Sequence, residues 1–236
     1  MDDIISRLRD ELKPGSDEQT RVSGTRFFKE DVLLYGVKTT LVTAIEKKYF
    51  PEVKGRTKAD VLSLCERLWQ SAFLEESFIA CGWSYALRAS FLPEDFAVFE
   101  TWVARYVTNW ASCDTLCNHT VGSFVEMYPE YLEALKRWAQ SDNRWMRRAA
   151  AVTLIIPARN GKFLEEVLAI ADILLMDGDD MVQKGYGWML KAASESHQRE
   201  VFDYVVRNRA TMPRTALRYA IEKMPPELKR CAMERP

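Results

Sequence analysis

Apolar residues recur at helical spacing along most of this chain, and no other feature limits the fold as strongly. Runs that alternate polar and β-branched residues, as strands do, are absent from the sequence. Ten glycines and nine prolines stand mainly between the periodic segments. The sequence therefore predicts an all-α protein. The clearest periodic sets are Phe96, Phe99, Trp102, Val103, Tyr106 and Trp110; Leu164, Val167, Leu168, Ala171 and Leu175; and Val201, Tyr204 and Val205.

Glycine and proline also predict where the helices end. Proline removes a backbone donor and glycine favours open backbone, so both interrupt helices. We expect helices of about 10 to 18 residues with short connections. The predicted breaks are Pro14-Gly15, Phe50-Pro51, Leu92-Pro93-Glu94, Tyr128-Pro129, Asn160-Gly161, Met212-Pro213 and Pro225-Pro226.

A short pattern recurs in the second half of the chain. Segments that begin near residues 141, 178 and 211 each open with a polar residue and continue with a basic one. Aligning them superimposes Arg148, Lys184 and Arg214, and Glu76 and Asp114 are candidates for earlier copies, at intervals of 38, 34, 36 and 30 residues. This spacing predicts HEAT-like helix pairs stacked in a solenoid (an α-α superhelix), with the second helices along one concave face. The solenoid is favoured over a closed bundle, and we expect one domain over 1–236.

Composition excludes several classes of protein. No apolar run approaches the roughly 20 residues that cross a bilayer, so no membrane role is expected. The first residues have mixed charge and lack the apolar core of a secretory signal. Five cysteines, an odd number, do not suggest a disulfide framework. The sequence therefore predicts a cytoplasmic location.

The net charge of −1 conceals an uneven distribution. Seven basic residues and one acid lie between 136 and 162, whereas seven acids and two basic residues lie between 60 and 100. A nearly neutral chain can therefore hold a basic face that attracts a polyanion. Solvated helix surfaces give the same count, and charge alone favours that simpler interpretation.

The segment 109–117 carries the strongest chemical signal. If Asn109 caps a helix, Trp110 and Asp114 lie at i and i+4 on one face. An aromatic plate beside a carboxylate suits a flat or cationic substrate, such as a damaged nucleobase or its sugar. The alternative is a core tryptophan with an exposed aspartate, and this segment alone favours the alternative.

Trp188 supports the first interpretation. It follows Lys184 by four residues on another helix of the repeat, and Arg148 holds the equivalent position between the two tryptophan-bearing segments. Gly185 and Gly187 lie inside that predicted helix. Because glycine inside a helix costs about 1 kcal/mol relative to alanine, we expect a packing or ligand-approach reason for them. Together the residues predict a site in one groove.

Several short motifs, in order, resemble the DNA alkylation repair family of HEAT-like, AlkD-like DNA glycosylases. Singly each motif is weak, but their order and spacing are specific, and the resemblance extends over approximately 21–224. The motifs are Arg26-Phe27-Phe28-Lys29, Tyr35-Gly36-Val37-Lys38-Thr39, Leu68-Trp69, Asn109-Trp110 with Asp114, 141–149 (SDNRWMRRA) and 183–188 (QKGYGW).

The resemblance implies excision of purines made cationic by alkylation, chiefly N3-methyladenine and N7-methylguanine, from double-stranded DNA. By similarity, Trp110 and Trp188 would contact the deoxyribose, Asp114 would be the catalytic carboxylate, and Arg148 would hold the backbone nearby. The damaged nucleotide need not be flipped into a pocket. A cationic base can leave without a general acid, so one carboxylate suffices and no metal or organic cofactor is required. A monomer suffices for this mode of binding.

Further residues are expected to contact DNA. The segment 36–40 predicts a turn into a helix whose amides and hydroxyls can hold a phosphate. Solvated side chains are the alternative for each candidate. The candidates are Phe27, Lys29, Lys38, Thr39, Arg147, Lys184 and Arg214.

Three positions depart from the family pattern. Ala111 replaces a frequent aspartate, Phe27 a tyrosine and Lys191 an arginine, so a carboxylate, a hydroxyl and a planar phosphate-binding fork are lost. The proposed catalytic carboxylate is retained, and rate and substrate range are the properties placed in doubt.

Other interpretations remain open. A HEAT-repeat module that binds damaged or branched DNA without cleaving it is the main rival, and a protein-binding scaffold is a weaker one. Cys113, Cys117 and His119 have near-helical spacing, but they lack a fourth metal ligand nearby. Buried, inert thiols are therefore expected.

Overall fold

The computed structural model describes residues 3–234, and helices dominate this range. Within it no strand is formed, and Leu33 and Phe73 make an isolated β-bridge. The all-α prediction is confirmed. The helices are α1 (Ile4–Leu12), α2 (Glu18–Thr25), α3 (Thr39–Lys54), α4 (Lys58–Trp69), α5 (Leu74–Ala86), α6 (Asp95–Arg105), α7 (Trp110–Thr115), α8 (Gly122–Met127), α9 (Leu132–Trp138), α10 (Arg144–Val152), α11 (Ile155–Arg159), α12 (Leu164–Leu174), α13 (Asp180–Ala193), α14 (Gln198–Asn208), α15 (Arg214–Ala220) and α16 (Pro226–Met233).

The chain forms two compact units, the first ending at Leu116 and the second beginning at Cys117. In the first unit α1 packs on α3, α3 and α4 pack on α5, and α5 packs on α7. In the second unit α9 packs on α10, α10 on α13, and α13 on α15. The helices that carry the aligned residues Arg148, Lys184 and Arg214 therefore pack in chain order, as a helical repeat requires. The expectation of one domain over 1–236 stays a prediction.

Polar side chains cap the N-termini of α7, α10 and α13. Asn109, Asn143 and Asp179 each accept a hydrogen bond from an amide in the first turn of α7, α10 and α13. Such caps satisfy donors that the helix itself leaves free. The cap at Asn109 is the one that the sequence predicted.

The predicted break at Phe50-Pro51 is wrong. Pro51 lies inside α3, which continues to Lys54. Proline disfavours a helix interior because its nitrogen cannot donate, but the side chains two residues to either side, Tyr49 and Val53, are buried at 7% and 0% exposure. Burial of this face holds the last turn in place, so tertiary packing overrides the local preference.

Tryptophan fills much of the core. Trp83 and Trp102 are completely buried, and Trp69, Trp138 and Trp145 are at most 7% exposed. These five indoles belong to the core. Trp102 also donates its indole N–H to Glu66, which accepts a second hydrogen bond from the Tyr106 hydroxyl at 2.6 Å, so the buried polar edge is satisfied.

Glu76 has a structural role rather than a place on an exposed polar face. Its side chain is completely buried and accepts two hydrogen bonds, each 2.9 Å long, from the Arg9 guanidinium. The Tyr35 hydroxyl donates to the same carboxylate at 2.7 Å. This network ties α1 and the segment before α3 to α5, because a buried carboxylate without such partners would be strongly destabilising.

Glu46 supplies a test of this unit's electrostatics. Burial raises the pKa of its carboxyl above the usual 4.5, and its carboxylate occupies the space that a side chain at Gly82 would need. The folded protein then binds the proton more tightly than the unfolded chain, so stability falls as the pH rises from the unfolded pKa of 4.5 through the raised folded pKa. We expect Glu46→Gln to raise Tm at pH 7.5 and to leave it unchanged at pH 4, measured by differential scanning calorimetry beside the wild type. An equal effect at both pH values would contradict the assignment.

Candidate active site

The first unit holds the predicted catalytic carboxylate. Asn109 caps α7 through a hydrogen bond of 3.0 Å from the Ser112 amide, and the helix places Asp114 four residues after Trp110. Asp114 is 9% exposed, whereas Trp110 is half-buried. The alternative of a core tryptophan with an exposed aspartate therefore does not fit. A carboxylate with little access to water acts more strongly on a nearby charge than one at the surface.

Trp110 is held by the segment that follows α2. Its indole N–H donates to the Phe27 carbonyl oxygen at 3.2 Å, and its ring stacks on Phe28 with the centroids 5.5 Å apart. The Phe27 side chain itself is 73% exposed. The indole is thus fixed on one side, and an exposed aromatic ring lies on the adjoining residue.

A cavity of about 420 Å³ lies against Trp110 within this unit. Small-molecule sites are commonly roughly 300–1,000 Å³ in volume. Its walls are mainly apolar and include four aromatic side chains, and Glu75 is its buried charged member. The aromatic and charged side chains of its lining are Phe27, Phe28, Phe78, Trp110, Lys38 and Glu75.

The backbone beside this cavity has a defined shape. Gly36 has φ = +84°, and a Cβ there would lie 2.6 Å from the Asp17 carbonyl oxygen, so glycine is required. Lys38 and Thr39 follow at the beginning of α3, are exposed, and line the cavity. The predicted turn into a helix is confirmed. No side chain caps this helix, which leaves its first amides available to an anion.

The second unit holds Arg148 on α10. This residue is 5% exposed, and its guanidinium donates to the Met181 carbonyl oxygen. A Cβ at Gly185 on α13 would lie 3.3 Å from the Arg148 Cγ. The expectation of a packing reason for Gly185 is therefore confirmed, because the glycine lets α13 approach the arginine closely. Trp188 is half-buried one turn further along the same helix.

Five of the seven basic residues between 136 and 162 have acidic partners, and so do several basic residues further along the unit. Arg147 pairs with Asp177 at 2.6 Å and Arg144 with Asp179 at 2.8 Å. The other pairs are Lys184 with Asp180, Lys191 with Glu222, Arg159 with Glu195 and Lys162 with Glu126. The basic run in the sequence is thus balanced by acids from other segments. A phosphate contact by Arg147 would have to compete with its ion pair.

The two units each bring together part of the predicted site. In the first, Phe27, Lys38, Thr39 and Trp110 line one cavity, and Lys29 is exposed nearby in the chain. In the second, Arg148 contacts the helix that carries Lys184 and Trp188, and Arg214 begins α15 with its guanidinium 3.3 Å from the Met233 carbonyl oxygen. A single groove that unites both sets stays a prediction.

Sequence reasoning missed several residues of the cavity, and Phe28, Glu75 and Phe78 are its aromatic and acidic members among them. Phe28 was part of a recognised motif, but its stacking on Trp110 joins residues 82 positions apart. Glu75 and Phe78 lie on α5 and gave no motif. The available signal was two adjacent acids at the beginning of an otherwise apolar helix, since burial there requires partners for both.

Four of the five cysteines are buried thiols. Cys65, Cys81, Cys113 and Cys117 are buried, and burial raises the pKa of the Cys65 and Cys81 thiols. Burial also lowers the pKa of His119. Among residues 3–234 no cluster of three or more potential metal ligands is formed.

The sequence profile that describes DNA alkylation repair enzymes matches residues 8–224. The chain belongs to this family. The match begins closer to the N-terminus than the motif resemblance, because the helices before residue 21 contain no distinctive motif. No curated protein matches the chain significantly.

Solved structures support the family fold. A predicted DNA alkylation repair enzyme from Enterococcus faecalis superposes with a TM-score of 0.79 at 17% identity, and the match covers 89% of this chain and 97% of that one. At this identity the likeness shows the fold alone. It agrees with the all-α helical-repeat architecture. In the range that the structure describes, we find no helix with the length and apolarity that a bilayer crossing needs.

Proposed function

We propose that this member of the DNA alkylation repair family is a monofunctional DNA glycosylase. Its substrates would be N3-methyladenine and N7-methylguanine in double-stranded DNA, and it would hydrolyse the N-glycosidic bond as the first step of base excision repair. The proposal includes action as a cytoplasmic monomer, and without insertion of the damaged base into a deep pocket. The observation that carries it is the buried Asp114 one helical turn from the half-buried Trp110, in a chain of this family.

The chemistry requires little from the protein. An alkylated purine is already positive, so its departure needs no general acid, and the sugar becomes an oxocarbenium-like cation. The Asp114 carboxylate would stabilise that cation and position the attacking water. The faces of Trp110 and Trp188 would add attraction of about 0.5 to 2 kcal/mol each, according to how far water is excluded. Arg148 would position the DNA backbone nearby.

Contacts to phosphate would orient the duplex. The first amides of α3 lack a side-chain cap, and Lys38 and Thr39 stand at that end. Lys38 is exposed and forms no ion pair among the described residues, so its ammonium is available to a phosphate. Phe27, Lys29, Arg147, Lys184 and Arg214 would complete the contacts.

Release of the modified base tests the proposal. The purified protein is incubated with duplex DNA methylated at N7 of guanine, and the free base is quantified by chromatography. We expect N7-methylguanine to be released at least tenfold faster than its spontaneous loss, and neutral lesions such as uracil to remain. Release of uracil at a comparable rate would require a proton donor that the proposal does not contain, and would overturn it.

A DNA-binding module without catalysis is the second candidate. Ala111 in place of a frequent acid, and the ion pair between Lys191 and Glu222 at 3.0 Å, favour it because each removes a polar group from the family's usual set. This candidate predicts affinity for DNA that falls steeply with salt, and no release of any base.

A further inference from the structure

The cavity beside Trp110 combines aromatic walls with a buried acid. Phe27, Phe28, Phe78 and Trp110 contribute four rings to its lining. The face of an aromatic ring is electrically negative and attracts organic cations, more strongly where water is excluded. The walls therefore suit a flat or alkylated group that carries positive charge.

Glu75 adds a negative charge that no basic residue neutralises. It is 4% exposed, and its carboxylate accepts hydrogen bonds from the amides of Tyr35, Gly36 and Val37 at 3.1, 2.9 and 3.1 Å. Among the described residues it forms no ion pair, in contrast to Glu76 beside it. The amides fix its orientation, and its field is poorly screened because it is buried.

The beginning of α3 favours a negatively charged group of the ligand. Lys38 and Thr39 line the same cavity, and the uncapped amides of this 16-residue helix lie there. Helix N-termini of this kind bind phosphate groups. The same cavity thus offers one environment that suits a cationic ring and a second environment that suits an anionic group.

We infer that the cavity binds an unstacked N-alkylated purine nucleotide. The cationic base would lie among the aromatic rings with Glu75 facing its charge, and the phosphate would lie against Lys38 and the first amides of α3. The choice of an alkylated purine as the cation rests on the proposed function. A base stacked in a duplex cannot enter a cavity, so the ligand is a free mononucleotide or an unpaired nucleotide of a strand. The cavity shares Trp110 with the proposed catalytic site, and Asp114 is not among its lining residues.

Binding of a matched ligand pair tests the inference. At pH 6 the base of N7-methylguanosine monophosphate is cationic. The base of guanosine monophosphate is neutral at this pH, and the two nucleotides are nearly identical in size. Isothermal titration calorimetry is expected to show at least tenfold tighter binding of the methylated nucleotide. Equal affinities would overturn the inference, because shape alone would then account for binding.

Gly24→Leu is the principal variant. Gly24 lines the cavity on α2, and a Cβ there would meet the end of the Leu34 side chain alone, at 3.0 Å. The leucine should fill the cavity without straining the backbone, and leucine is a better helix former than glycine. We expect at least a tenfold loss of affinity for the methylated nucleotide, with the circular dichroism and Tm of the wild type retained. Full affinity in this folded variant would overturn the inference.

Further variants separate the two halves of the ligand. Phe78→Leu keeps an apolar wall but removes a ring, and should reduce the preference for the methylated base. Lys38→Gln should weaken both nucleotides equally, because it acts on the phosphate. Their controls are Glu46→Gln and Lys47→Gln, which change a half-buried acid and an exposed lysine on α3 outside the cavity. If the controls act as strongly as the variants, the inference fails.

Two DNA substrates distinguish the source of the nucleotide. An oligonucleotide duplex with N7-methylguanine in a one-nucleotide bulge is compared with the fully paired duplex. If the bulged duplex binds more tightly than the paired duplex, and Gly24→Leu abolishes this difference, the ligand is an unpaired nucleotide of a strand. If the two duplexes bind equally while the mononucleotide still binds, the ligand is the free mononucleotide. Base release from the paired duplex is measured in parallel. Gly24→Leu should retain it, so loss of nucleotide binding and loss of glycosylase activity are separate results.

Discussion

Asp114→Asn is expected to lower the rate of N7-methylguanine release by about 10²–10³-fold, since removal of one preorganised charge-stabilising group costs this much in other enzymes. Asparagine keeps the size of the side chain but cannot neutralise a cationic sugar. Single-turnover release from methylated duplex DNA gives the rate, and the affinity for the same duplex should change by less than threefold.

Asp31→Asn is the matched control in the same unit. Asp31 is exposed and does not line the cavity beside Trp110, so the substitution removes the same charge from a surface position. It should retain the wild-type rate. An Asp114→Asn protein that releases the base as fast as this control would remove Asp114 from the mechanism.

Gly187→Ala is expected to destabilise the second unit by about 2–3 kcal/mol, at the upper part of the usual cost of overpacking. A Cβ at residue 187 would lie 2.7 Å from the Tyr219 Cβ and 2.8 Å from the Ala216 carbonyl oxygen. Since the second of these is backbone, α15 would have to move away from α13. For a chain of this length we expect Tm to fall by about 5–10 °C, measured by calorimetry.

Gly178→Ala provides the control for backbone freedom alone. Gly178 precedes α13, and a Cβ there would meet no atom within 4 Å. Its effect should remain within about 0.5 kcal/mol. If Gly187→Ala and Gly178→Ala have the same Tm, close packing of α13 on α15 does not explain why residue 187 is glycine.

Local signals in the sequence predicted much of the fold. The apolar periodicity and the polar caps predict most helices, and the cap at Asn109 predicts that Trp110 and Asp114 lie one turn apart on one helix. Pro51 shows the limit of such reasoning. Its effect on α3 is decided by burial of Tyr49 and Val53 against other helices, which a local rule does not include.

Pairings between distant residues could not be predicted. The excess of basic residues between 136 and 162 indicated a basic face, but Asp177 and Asp179 neutralise two of its arginines from 30 or more residues away. Likewise, Glu75 belongs to no sequence motif, because its buried position depends on hydrogen bonds from three amides of residues 35–37. Sequence spacing reports which residues share a helix face, and tertiary contacts decide which charges remain available.

The burial of the thiols bears on how such a protein survives the conditions in which it is needed. Alkylating agents attack thiolates before most other groups in a polypeptide. Cys65, Cys81, Cys113 and Cys117 are shielded from water, and two of them are held in the protonated form by their raised pKa values. Cys231, near the C-terminal end, is the partly accessible one. A repair protein arranged in this way presents one accessible thiol, that of Cys231, to the reagents whose damage its family repairs on DNA.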